Sequence, residues 1–152
     1  MIQRGEDEVS IGIRQAGVGD GPAIAEMIQE LAAASGEVSP VTAAYAEDYL
    51  RVAHSQVLLA EEAGQPVGLL TYSVRPNLYH AGPSAMIEEL VVRAGQRGRG
   101  VGSALITELL ARLVQMGCTE ASVTVMPDNE AAQRLYRRHG FVDEAVFLER
   151  HF

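Results

Sequence analysis

Residues 9–16 (VSIGIRQA) place Ile11 and Ile13 in alternation with polar neighbours, the period-two signature of a strand. Asp20-Gly21-Pro22 then supplies a helix start, an N-cap followed by a proline near the first helical position. Ile24, Met27, Ile28 and Leu31 follow at helical spacing, which predicts a helix over residues 22–34. Ser39-Pro40 repeats the start signal and predicts a second helix over residues 40–53. Residues 56–62 (QVLLAEE) and 65–74 (QPVGLLTYSV) read as a hairpin around Ala63-Gly64. Residues 75–83 read as a loop, because two prolines, an asparagine and a glycine punctuate them.

The second half alternates strand and helix. Residues 84–93 (SAMIEELVVR) form an apolar strand, and 94–102 a turn rich in glycine and arginine. Residues 101–116 carry Leu105, Leu109, Leu113 and Met116 down one helical side, with Gly117 as the stop. A strand over 121–126, a helix over 129–139 closed by Gly140, and a last strand over 145–152 (AVFLERHF) complete the pattern. The order β-α-α-β-β-β-α-β-α-β predicts an α/β fold with helices flanking a mixed sheet. At 152 residues, with no repeat or linker, residues 1–152 are expected to form one domain.

Composition narrows the classes. A hydrophobic fraction of 47% and a charged fraction of 21% suit a globular chain. No apolar run approaches the roughly 18 residues of a membrane span, and residues 1–10 lack an apolar leader core. The expectation is a cytoplasmic protein with no membrane partner. A formal charge of −8 argues against a nucleic-acid partner. Residues 1–92 hold four arginines against thirteen carboxylates, and residues 93–152 hold eight against seven. Such a split suits a cationic substrate on one side and an anionic ligand on the other. The chain contains no lysine, which excludes lysine Schiff-base chemistry and the P-loop lysine together. The four histidines and Cys118 show no metal-ligand spacing, so no metal is expected.

The sharpest chemical signal is Arg97-Gly98-Arg99-Gly100-Val101-Gly102-Ser103, between an apolar strand and a long amphipathic helix. Glycines let backbone approach a ligand closely, and the free N–H groups of a first helical turn face any anion placed there. A dinucleotide fingerprint needs a third Gly or Ala three places after its second glycine. Those positions hold Ser103 or Leu105 instead.

These residues resemble the GNAT superfamily of N-acetyltransferases, which use acetyl-coenzyme A. Arg97-Gly98-Arg99-Gly100-Val101-Gly102 is similar to the family's [Arg/Gln]-x-x-Gly-x-[Gly/Ala] hallmark. Ile87-Glu88-Glu89-Leu90-Val91-Val92 looks like its fourth strand, and Asn129-x-x-Ala132-x-x-Leu135-Tyr136-x-x-x-Gly140-Phe141 like its closing motif. The resemblance implies a mixed, mostly antiparallel sheet with a splayed centre. It implies acetyl-CoA as donor, its pyrophosphate on the amides of residues 98–103 and its pantetheine arm along Leu90, Val91 and Val92. It further implies Asn129 near the pantetheine and Tyr136 near the sulfur, as the acid for the leaving thiolate.

A carboxylate base is expected at Glu89 or Glu88. In a regular strand the two point to opposite faces, Glu88 with Leu90 and Val92, Glu89 with Val91 and Arg93, and a bulge would change this alternation. Tyr79 and His80, before the fourth strand, and Tyr45 and Tyr49, in the second helix, are candidate acceptor contacts by the same resemblance. The expected activity is acetyl transfer to a primary amine of a small molecule by direct attack in a ternary complex. Its alternatives are a non-catalytic acyl-CoA-binding module and a protein or peptide N-acetyltransferase. The apolar strand expected at 145–152 would allow a homodimer.

Overall fold

Apolar side chains that alternate along β-strands build one sheet here and give it two buried faces. The computed structural model describes residues 10–152. Its elements are β1 (Gly12–Gln15), α1 (Gly21–Ala34), α2 (Ala43–Tyr49), β2 (Ser55–Glu62), β3 (Gln65–Asn77), β4 (Gly82–Val92), α3 (Val101–Gln115), β5 (Glu120–Val123) and α4 (Glu130–Arg138). The strands lie in the order β1-β2-β3-β4-β5. Neighbours are antiparallel except β4 and β5, which run parallel. The predicted succession of strands and helices therefore holds through α4.

Val57, Leu59, Leu69 and Val91 project to one face, against Ile24, Ala25 and Met27 of α1 and Ala46 of α2. Leu58, Ala60, Leu70, Tyr72, Ala85 and Ile87 project to the other, against Val101, Leu105, Ile106, Leu109 and Leu113 of α3, with Tyr136 of α4 beside them. Burying a large aliphatic side chain is worth about 1.5–3 kcal/mol, so these two layers supply most of what holds the helices to the sheet.

Polar contacts fix how α1 enters. Asp20 precedes α1, yet its carboxylate is taken by Arg14 of β1 (Nη1 to Oδ2, 2.7 Å) and by the Gly17 amide. Glu47 of α2 instead accepts the amides of Gly19 and Gly21. Arg14 also pairs with Glu61 at 2.7 Å, tying β1, β2 and the start of α1 together. The Arg14 guanidinium holds the Asp20 carboxyl below its usual range, against an opposing push from burial. A depressed folded-state pKa stabilises the fold above the unfolded value and is lost as pH falls through the folded one. Thermal melts should therefore show Tm falling as the pH drops into and below the ordinary carboxylate range, with a smaller fall in Asp20→Asn.

Three sequence expectations change. The second helix begins at Ala43, not Pro40, because the Thr42 hydroxyl accepts the Tyr45 amide at 3.1 Å and caps it there. The segment 75–83 is mostly hairpin, with Arg75 opposite Ser84 and Pro76 opposite Pro83. The two prolines share one rung, so their missing N–H groups cost the ladder only locally. Residues 145–152 form no strand. Val146, Phe147 and Leu148 are consecutive and all exposed, so apolar groups stand on both faces of any strand made there. The adjacent edge, β5, is only four residues long.

Candidate active site

The site is made by two interruptions of the sheet that fall at the same place on β4. The first is a bulge. β3 pairs Thr71 with Glu89 and then Tyr72 with Ile87, leaving Glu88 as an extra residue. Ile87 and Leu90 both pack on the α3 side, so the two glutamates between them turn together to the α1–α2 side. Side-chain contacts agree. Thr71 and Ser73, two apart on β3, bond Glu89 and Glu88 respectively, the latter at 2.9 Å. The regular-strand alternation is thus overturned, and both carboxylates share a face with Val91.

The second interruption is a splay. β5 pairs with β4 only along Ser84–Ile87. Among the described residues, no strand neighbours the outer edge of β4 from Glu88 to Val92. Apart from the Val92 carbonyl, which Arg97 takes, its polar backbone groups on that side are therefore open to an added extended chain. The edge leads directly to α3. Gly98 and Gly100 have φ of 75° and 82°, left-handed values that favour glycine. The Ala104 amide bonds the Gly100 carbonyl at 2.9 Å as the first rung of α3. The amides of Val101, Gly102 and Ser103 lie ahead of that ladder, directed outward with the positive end of the helix.

Electrostatics separate the two glutamates. Glu88 is exposed, whereas Glu89 is half-buried. Burial raises the Glu89 carboxyl above its usual range, the Thr71 hydrogen bond opposes this, and the charge of Glu88 adds to it. Tyr49 stands close enough to feel both carboxylates. Burial first, then the Glu89 and Glu88 charges, raise its phenol, while the Ser55 side chain lowers it. Tyr45 is 65% exposed on the same helix. Tyr136 is buried at 6% exposure, packs edge-on to Phe141 at 5.5 Å, and has its phenol pushed up to about 12 by burial.

Other expected residues have local tasks. Asn129 accepts the Ala132 amide at 3.1 Å and so caps α4. Arg99 is bound to Glu62, and Arg97 donates Nε–H to the Val92 carbonyl at 3.2 Å. The two arginines thus brace the loop on β2 and β4. Tyr79 and His80 stand at the β3–β4 tip, where His80 pairs with Glu120 at 3.1 Å. Seven residue steps of strand separate Gly82 from Glu89, about 23 Å, so the structure does not bring them to the carboxylates. Thr71 and Ser73 are the site residues that sequence reasoning missed. Their signal was a Thr-x-Ser pair on the strand opposite Glu-Glu.

Close packing distinguishes the loop glycines. A Cβ on Gly102 would meet Leu135 at 3.3 Å, with Leu90 and Val92 at 3.8 Å, so this glycine lets α3 lie against α4 and β4. A Cβ on Gly100 would meet nothing within 4 Å, and the obstacle there is backbone conformation alone. Gly100→Ala should leave the protein folded but reorient the amides. On the expectation that the loop holds acetyl-CoA, its affinity should fall tenfold or more, about 1.4 kcal/mol, as read by calorimetry.

The bulge, the splayed edge and the open helix start lie within one mixed α/β domain that a known family shares. The profile of the acetyltransferase (GNAT) family matches residues 23–141, and the chain belongs to that family. It is 31% identical over 105 residues to L-2,4-diaminobutyric acid acetyltransferase of Nocardia farcinica, covering 62% of this chain and 53% of that protein. A stretch of 56 residues is 38% identical to N-alpha-acetyltransferase MAK3 of Arabidopsis thaliana, covering 37% of this chain and 30% of that one. The chain spans about half the length of the diaminobutyrate enzymes it matches. Among solved structures, a transcriptional regulator from Bacillus halodurans C-125 superposes with a TM-score of 0.83 at 25% identity, covering 94% of this chain and all (100%) of that one. AAC(6')-Iy in complex with the bisubstrate analog CoA-S-monomethyl-acetylneamine shares the fold, with a TM-score of 0.79 at 23% identity over 94% and 99% of the two chains.

Proposed function

We propose that the protein transfers an acetyl group from acetyl-CoA to a primary amine of a small molecule, in the cytoplasm, by direct attack in a ternary complex. One observation carries the reading. Where β5 leaves β4, the bulge turns two carboxylates to one face while the outer edge stays open. The residues fit the donor: three outward amides and two left-handed glycines suit a pyrophosphate, and the strand-free edge at Leu90, Val91 and Val92 suits an extended amide-bearing arm. When bound, acetyl-CoA supplies a thioester carbonyl that an amine can attack.

The chain's own residues then divide the work. An alkylammonium has a pKa near 10.4, so freeing its amine at pH 7 costs about 4 kcal/mol. Glu89, half-buried and raised in pKa, takes that proton. Glu88, exposed and held by Ser73, attracts the ammonium or holds a second cationic group beside it. Tyr136 stays protonated and donates to the departing sulfur. Tyr49 and Tyr45 wall the acceptor side. The diaminobutyrate relatives, whose named substrate carries two amines, support this division.

Thiol release from acetyl-CoA tests the reading against a panel holding L-2,4-diaminobutyrate, an aminoglycoside and a peptide with a free N-terminus. Turnover is expected with a small diamine. Tight acetyl-CoA binding with no release on any amine would replace the enzyme by an acyl-CoA-binding module, and release on the peptide alone would move the acceptor to protein. Association of two copies belongs to the same proposal and would appear as a dimer in sedimentation.

A further inference from the structure

At the far side of the glycine loop, the Ser103 hydroxyl of α3 meets the His139 imidazole, Oγ to Nε2, at 2.7 Å. The two residues are 36 apart in sequence and come from opposite helix ends. Ser103 is the third residue of α3, in the turn whose amides point outward. His139 caps the C-terminus of α4, where Gly140 at φ 88° and the Phe141 amide on the Tyr136 carbonyl close the helix. Of the neighbouring cations, Arg137 is paired with Asp143 at 2.9 Å and Arg99 with Glu62. A serine hydroxyl has one hydrogen to give and two lone pairs to accept with. If the imidazole donates Nε2–H to Oγ, the serine hydrogen is left free to point at an anion.

We propose that His139 is a positioning residue for the donor's phosphates. It holds Ser103 with its hydroxyl hydrogen directed into the loop, adding a side-chain donor to the backbone amides of residues 101–103. This rests on the acetyl-CoA reading given above. The role is separable from packing, because it acts only on the part of the donor that carries phosphate.

The test compares acetyl-CoA with S-acetylpantetheine, which has the same thioester and arm but no phosphate, in the full chain. His139→Leu should raise KM for acetyl-CoA at least fivefold, keep kcat within twofold, and leave kcat/KM for S-acetylpantetheine unchanged. Ser103→Ala should give the same pattern, and the double variant should be no worse than either single. His139→Gln, whose amide nitrogen can donate from a similar position, should recover most of the loss. Equal losses with both donors, or additive single effects, would overturn the proposal in favour of simple helix packing. Wild-type protein that binds S-acetylpantetheine as well as acetyl-CoA would remove the phosphate site itself, a failure distinct from an unchanged KM in the His139 variants.

Discussion

Glu89→Gln should lower kcat/KM by about 10²–10⁴-fold, the usual worth of a general base, while acetyl-CoA affinity stays within threefold. The substitution keeps the size of the side chain and its contact with Thr71. It removes only the ability to accept a proton. In the wild type, activity should fall as pH drops through the raised Glu89 pKa, and that acid limb should vanish from the residual activity of the variant. Stability should move the other way. A carboxyl raised in the folded state binds its proton more tightly there than in the unfolded chain, so stability declines as pH rises from the ordinary carboxylate value through the folded one. At neutral pH the variant should therefore melt at a higher temperature than wild type, a gain set against lost activity. Glu88→Gln supplies the contrast. It should raise KM for a cationic acceptor several-fold and spare the acid limb. Equal rates across pH 6–9 for wild type and Glu89→Gln would exclude the base.

Tyr136→Phe should reduce kcat about 10–100-fold, the low end of general-acid effects, with acetyl-CoA affinity changed less than threefold. The phenylalanine keeps the edge-on contact with Phe141 and the buried volume, losing only the donor. Burial holds the phenol protonated, with its pKa pushed up to about 12, so no alkaline limb from this group should appear below that range. A thiol leaves with a pKa near 8.5, so the acid is expected to contribute less than the base. If kcat is unchanged when chemistry limits the rate, Tyr136 is a packing residue at the cleft.

The residues that meet in this site were legible in the chain to unequal degrees. The glycine loop announced itself by composition, because an anion site at a helix start needs residue types that sequence displays directly. The helices over Gly21–Ala34 and Val101–Gln115 followed from apolar spacing. The facing of Glu88 and Glu89 did not follow, since one inserted residue reverses every side chain beyond it without changing composition. Only the register against Thr71 and Tyr72 decides it. The last strand failed for a related reason. Alternation shows that a segment can be extended, whereas a strand also needs an edge to pair with.

Leu58 and Leu59 are adjacent in the chain, yet one belongs to the α3 core and the other to the α1–α2 core. The sheet therefore acts as a partition that keeps two economies of packing apart. Changes on the α1–α2 side reshape the wall nearest the carboxylates, and changes on the α3 side reach the glycine loop. Residues such as Met27 and Leu109, in separate layers, share no partners, and effects of well-separated sites usually add within about 0.3–0.5 kcal/mol. Under the proposed function, a new acceptor would be selected by repacking one side of the wall while the glycine loop on the other is inherited intact.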